Sequence, residues 1–266
     1  MAKQVNKVKP LGIIKDSQAP YYSQVHPTPK PTPGEWRFCI DYRRLNVATK
    51  SMGWPLPNIA DMLRSLGSRK AKWFCELDLT AGYHQTPLHE SSWKYTTFKT
   101  AFGVFEWKRV PMSLKGSPSY FQHVMQPEVL HGLMYSICEL YKDDVLIFAE
   151  TEEQMVINLA TVLRRLYEYR ITVSPAKCSF GLREIEFVSH TLNHEGLHFT
   201  RAKLDKVLDI QLPTTAKQLK PFLGVCIFLS EHVHGYSDRT KPLHQMLTNY
   251  EARRKLNWTP RVTKDN

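Results

Sequence analysis

No two of the five cysteines, Cys39, Cys75, Cys138, Cys178 and Cys226, form a CxxC pair. Zinc ribbons and fingers are thereby excluded, and free thiols in a reducing compartment are expected. No apolar run approaches the length of about 18 residues that spans a bilayer. The polar start "MAKQVNKVK" also lacks a signal-peptide core, so a soluble intracellular protein is the expectation. Negative charge is scarce: 36 Lys and Arg face 25 Asp and Glu, a formal net charge of +11. That excess favours a polyanionic partner, nucleic acid before anionic membrane, over a merely well-solvated basic surface. Hydrophobic residues, at 42% of 266, suffice for one or two domains with a large core.

Residues 1–35 are rich in proline, and "HPTPKPTPGE" reads as an extended loop or connector. "EWRFCIDYRRL" alternates as a strand, and "LPNIADMLRSLGS" places Ile59, Met62, Leu63 and Leu66 on one helical face before Gly67. "AKWFCELDLTAGYH" is strand-like, and "KYTTFKTAFGVFEWKRV" is strand-rich. In "SLKGSPSYFQHVM", Ser117 suits a helix cap and Pro118 its first turn. "TEEQMVINLATVLRRLYEYR" is the clearest helix: Thr151 and Gln154 predict a capping box, and Met155, Leu159, Val162, Leu163 and Leu166 one buried face. Beyond Thr200 the pattern turns helical and basic. The order strand, helix, hairpin, helix predicts an antiparallel sheet backed by helices.

The charged pair Asp143 and Asp144 interrupts two apolar runs in "CELYKDDVLIFA". Aspartate is ordinary in a turn, yet two adjacent carboxylates raise each other's pKa unless a cation is shared between them. Asp78 stands likewise among the apolar residues of "FCELDLTAGYH". Three carboxylates of this kind are what holding two Mg²⁺ ions beside a triphosphate requires, with catalysis by positioning and charge.

Seven segments, "WRFCIDYRRLN", "WPLPNIADMLRSLG", "ELDLTAGYHQ", "LKGSPSYFQHVM", "YKDDVLIFAE", "CSFGLREIEFVSH" and "KQLKPFLG", fall in an order and spacing that resembles reverse transcriptases, most of all those of Gypsy-type long-terminal-repeat retrotransposons. The resemblance implies an α+β right-hand polymerase, with fingers (1–72 and 84–112), palm (73–83 and 113–198, its antiparallel sheet backed by helices) and thumb with the start of the connection (199–266). It implies RNA-directed DNA synthesis, in which a primer 3′-hydroxyl attacks the α-phosphate of a deoxynucleoside triphosphate and releases pyrophosphate. Asp78, Asp143 and Asp144 would be the catalytic metal ligands for two Mg²⁺, replaceable by Mn²⁺, with the Leu79 carbonyl as a further ligand. Lys30, Arg37, Tyr83 and Met112 would bind the nucleotide, Tyr83 beneath its sugar, where it blocks a 2′-hydroxyl. Lys115, Gly116, Ser117 and Pro118 would support the template, and Tyr141, Lys142 and the hairpin Phe187, Val188, Ser189 and His190 the primer end. Lys203, Lys206, Lys217 and Lys220 would track the duplex backbone.

The implied partners are an RNA template, a DNA or tRNA primer, the RNA–DNA hybrid and, in a polyprotein, protease, ribonuclease H and integrase domains, with no membrane. No ribonuclease H carboxylate set fits in the remaining residues, so polymerase without hybrid cleavage is expected. The implied location is intracellular: cytoplasmic, within virus-like particles, or nuclear. Several positions depart from the pattern. Lys142 stands where an apolar or small residue is usual, Met112 and Ser113 replace Phe-Gly, Ser189 replaces Gly, and "KPTPGE" has lost fingertip charge. Pro127 and Pro221 fall inside expected helices, at on the order of 3 kcal/mol each if truly interior. These departures support a second reading, an inactive, decaying or domesticated fragment that only binds nucleic acid. A general DNA repair polymerase fits the motif set less well.

Overall fold

The computed structural model of the chain describes residues 2–29, 36–188, 190–200, 205, 209–230, 233–247 and 256. Two compact units divide it, residues 1–198 and 199–266. The first unit opens with helix α1 (Ala2–Val8), strands β1 (Ile14–Asp16), β2 (Ser23–Pro29) and β3 (Trp36–Ile40), then helices α2 (Arg43–Ala48) and α3 (Ile59–Gly67). Strand β4 (Trp73–Asp78), helix α4 (Glu90–Trp93) and strands β5 (Phe98–Thr100) and β6 (Gly103–Trp107) follow. Helix α5 (Ser117–Val124) then leads into strands β7 (Cys138–Tyr141) and β8 (Asp144–Ala149), and helix α6 (Glu152–Glu168) into β9 (Ser179–Leu182), β10 (Ile185–Phe187), β11 (His190–Asn193) and β12 (Gly196–Phe199). In the second unit helices α7 (Ala216–Leu229) and α8 (Tyr236–Gln245) pack through Leu219, Leu223 and Leu243.

Among the described residues three sheets form: five strands in the order β1-β6-β5-β2-β3, four in the order β7-β8-β4-β9, and the three-stranded β10-β11-β12. The pairs β1–β6, β5–β6, β2–β3, β4–β8, β4–β9, β7–β8 and β10–β11 are antiparallel, whereas β2 and β5 run parallel through Ser23 and Gln24. The expectation of a connector over residues 1–35 is thus corrected. Pro27 and Pro29 sit within β2, in the half that pairs with β3 alone, so their missing N–H groups interrupt no second ladder. Residues 30–35 lie outside those described.

The four-stranded sheet has two different faces. Cys75, Leu77, Cys138, Leu140, Val145 and Ile147 pack against Phe121 of α5 and Met125 just after it, and against Met155, Val162 and Leu166 of α6. On the other face Phe74, Leu146 and Phe148 meet Met62, Leu63 and Leu66 of α3 and Ile185, Phe187 and Leu192 of the small sheet. Alternation along the strands produces both. The Thr151 hydroxyl accepts from the Gln154 N–H to start α6, while the Gln154 side chain donates to Asn158 at 2.7 Å, so the predicted capping box is half made. A complete box stands instead at Thr215 and Gln218.

Neither problematic proline stops its helix. Pro127 lies in a π turn, Met125–Val129, where the Leu130 N–H donates to the Met125 carbonyl at 2.8 Å. The wider turn passes the residue that cannot donate. Pro221 stays inside α7, and Pro242 inside α8. Among the described residues, no helix is long and apolar enough to cross a membrane.

Candidate active site

Strand pairing brings the three aspartates to one sheet end. Asp78, the last residue of β4, stands directly opposite Asp144, the first of β8, and Tyr141 opposes Asp144 across the hairpin. Lys142 and Asp143 are left as a two-residue turn. Of the two only Lys142 has a positive φ, 59°, the pattern of a type II′ turn, where glycine is favoured. Holding a side chain there costs about 1 kcal/mol, so Lys142→Gly is expected to raise stability by roughly that amount, read as a shift in the urea midpoint. Gly82 makes room for the turn: a Cβ on it would lie 3.2 Å from Asp143 Cβ and 3.3 Å from Phe121 Cζ. The Leu79 N–H donates to the Asp143 carbonyl at 3.3 Å and ties strand end to turn.

The charges press on one another. Burial, then Asp143 and Asp78, push Asp144 up to about 6, while Lys142 and Lys177 pull the other way. Glu76, two residues before Asp78 on β4, is raised by burial and then by Asp144, Asp78 and Glu186. The Lys177 ammonium caps Asp78, with Nζ at 3.2 and 3.1 Å from its two carboxylate oxygens. Tyr83 is buried beside the turn, its ring edge-on to Phe121 at 5.3 Å, and burial with Asp143 pushes its hydroxyl up to about 12. An all-oxygen donor set that repels itself, and that already holds a cation of its own chain, fits a hard divalent ion. As they are placed, no three Asp, Glu, His or Cys side chains among the described residues are grouped to hold one.

Tyr141, Lys142, Asp143, Asp144 and Val188 line a cleft of about 670 Å³ together with Glu76 and Glu186. The Lys142 ammonium lies 5.1 Å from the Tyr141 ring centre. In the small hairpin Phe187 pairs with His190, and Val188 at the turn has φ 46°, strained for a β-branched residue. Buried His190 places Nδ1 3.0 Å from the Val188 carbonyl.

Gly116 and Ser117 line a separate cavity of about 450 Å³ with Leu45, Lys50 and Tyr120. Ser117 does not cap α5. Gly116 holds that position, Pro118 takes the first turn as expected, and the Ser117 hydroxyl donates to the Pro111 carbonyl at 2.6 Å. Asn46 fixes the same loop, donating to Ser113 O at 3.0 Å and accepting from the Lys115 N–H at 2.7 Å. Met112, 54% exposed, adjoins this loop.

Lys30, Ser189, Lys203 and Lys206 lie outside the described residues, as does the Arg37 side chain; Lys217 and Lys220 are exposed on α7 of the second unit. Lys177, Glu76, Glu186 and Asn46 escaped the sequence reading. Only the charge of Glu76 within an apolar strand hinted at a role.

An antiparallel sheet that ends in paired aspartates on a hairpin, with helices behind it, belongs to the right-hand polymerases. Residues 28–198 match the reverse transcriptase (RNA-dependent DNA polymerase) family, and the chain belongs to this family of nucleotidyltransferases. Among its relatives, the retrovirus-related Pol polyprotein from the Drosophila melanogaster transposon opus is 31% identical over 264 residues, 98% of this chain and 26% of the relative. The corresponding polyprotein from transposon gypsy is 31% identical over 250 residues, 91% of this chain and 24% of the relative. The chain therefore spans about a quarter of these proteins. A foamy viral protease-reverse transcriptase solved with double-stranded DNA shares the fold at a TM-score of 0.85 and 24% identity, over 99% of this chain and 45% of that one. A foamy viral protease-reverse transcriptase solved with an RNA/DNA hybrid gives 0.77 over 99% and 35%. The resemblance read from the seven motifs and the right-hand fold are both borne out.

Proposed function

We propose that the chain is an RNA-directed DNA polymerase that extends a primer 3′-hydroxyl on an RNA template with deoxynucleoside triphosphates. The observation that carries this reading is the register placing Asp78 opposite Asp144 with Asp143 in the adjoining turn. Asp78, Asp143, Asp144 and the Leu79 carbonyl would hold two Mg²⁺, or Mn²⁺ in their place. Such ions, when bound, neutralise charge on the triphosphate and lower the pKa of the attacking hydroxyl. The side chains hold and orient. Tyr83, wedged against Phe121, floors the nucleotide sugar, and Arg37 and Lys30 take the triphosphate. Asn46 and Ser117 fix the loop of Lys115, Gly116 and Pro118 under the template, Met112 beside it contacts the nucleotide, and Tyr141, Lys142 and residues 187–190 grip the primer end. In this proposal residues 1–72 and 84–112 are fingers, 73–83 and 113–198 palm, and 199–266 thumb, with other polyprotein domains as partners in a longer intracellular protein.

The second reading, a fragment that only binds nucleic acid, is favoured by one contact: Lys177 occupies both oxygens of Asp78. Incorporation of a deoxynucleotide on an RNA template with a DNA primer, in Mg²⁺ and then Mn²⁺, separates the two. Extension that requires added metal and stops with chelator is expected. A folded protein that binds hybrid and extends nothing in either metal would establish the binding-only reading.

A further inference from the structure

Helix α6 buries Met155, Val162 and Leu166 against the sheet but carries a second apolar stripe on one flank, about 110° around the axis from the buried face. Val156 is 64% exposed, Leu163 37% and Tyr167 83%, and Ala160 between them is exposed as well. Their spacing of four, three and four residues is that of alternating d and a positions in a heptad, which an amphipathic helix with one partner would leave polar. Ile157, 58% exposed, flanks the stripe. Exposed residues of this size, aligned along a helix, mark a surface meant to be covered.

We propose that the covering element is α6 of a second copy of this chain, packed antiparallel. Antiparallel helix pairs set each a position against a d position of the partner helix. One register does so throughout: Val156 against Tyr167 of the second copy, and Ala160 against its Leu163. Large residues then face a small one at the centre and meet each other at the ends. Carried one step further out, the same register sets Glu153, in the first turn of α6, against Arg170 of the second copy, just past the helix end. The two-fold axis repeats this charge pair at the other end. A parallel pair would instead stack Glu153 on Glu153 and Arg170 on Arg170. Arg165 is occupied within its own chain, donating to the Val129 and His131 carbonyls at 3.2 and 3.0 Å, and stays out of the contact. Four layers of side chains bury less than the roughly 1,200 Å² of a standard interface, so the association is weak and concentration-dependent.

Sedimentation velocity of this chain from about 5 to 500 µM tests the proposal. A monomer–dimer equilibrium is expected in the upper part of that range. Leu163→Glu should weaken it by about tenfold or more, and Tyr167→Asp, at a more exposed position, does the same should the first variant fold poorly. Glu153→Arg and Arg170→Glu should each weaken association, and their combination should restore it, because only the antiparallel register pairs these residues. A chain monomeric throughout, a dimer indifferent to Leu163→Glu and Tyr167→Asp, or charge swaps that do not rescue each other would overturn the proposal.

Discussion

Asp143→Asn is expected to abolish metal-dependent incorporation while leaving the fold intact. Asp143 sits in a two-residue turn, where an amide is isosteric and tolerated, and its backbone contact with the Leu79 N–H does not involve the side chain. What the variant loses is one negative oxygen of the proposed metal-holding set. Preorganised charge aimed at a reacting centre is worth on the order of a hundred- to a thousandfold in rate, so initial rates on an RNA template should fall by at least about that factor. Stability should move the other way or stay level. Asp143 is the largest charge raising Asp144 after burial itself, and its removal lets Asp144 ionise at lower pH with less opposition. The paired measurement is therefore an extension rate beside a urea midpoint. Lost activity with the midpoint retained supports the site; activity within about twofold of the parent protein would sink it.

How much of this was legible in the sequence depends on distance along the chain. The face of α3, the hairpin and its turn, and the palm strands follow from local periodicity, since Ile59 to Leu66 and Cys138 to Ala149 each state their own pattern. The proline-rich start is strand where a connector is expected, because composition cannot tell a free strand edge from a connector: β2 keeps Pro27 and Pro29 only where one neighbour is missing. Ser117 had the right neighbours for a cap, but the Pro111 carbonyl six residues earlier was the better acceptor within reach. Leu163, expected on the buried face of α6, instead belongs to the exposed stripe on its flank. Lys177 was invisible: 99 residues separate it from Asp78, and nothing in "SPAKC" signals that a strand will return it to the carboxylates.

Glu139 was equally silent, and it carries the second large effect. It lies on β7 opposite Leu146, on the face that α3 covers, and is 1% exposed. One of its carboxylate oxygens has no hydrogen-bond partner, and neither does the Arg69 Nε. The Arg69 guanidinium instead donates to the Tyr135 carbonyl and lies over the Phe148 ring at 4.7 Å. Burial pushes the Glu139 acid from 4.5 up to about 7, against a smaller pull from the Arg69 charge. An acid whose pKa is raised by folding binds its proton more tightly in the native state. Its contribution is therefore intact below the unfolded pKa and is lost as pH rises through the folded one, here between about 4.5 and 8, at a total of about 3 kcal/mol. Glu139→Gln has no proton to lose. The two proteins should be nearly equal in stability at pH 5, and the variant should lead at pH 8, the gap widening by about 2 kcal/mol. Urea unfolding followed by tryptophan fluorescence reads this, since Trp36, Trp54, Trp73, Trp93 and Trp107 all belong to the first unit. A gap that stays constant from pH 5 to pH 8 would mean that Arg69 keeps Glu139 ionised in the folded state, making the contact a buried ion pair whose loss the variant should feel at every pH.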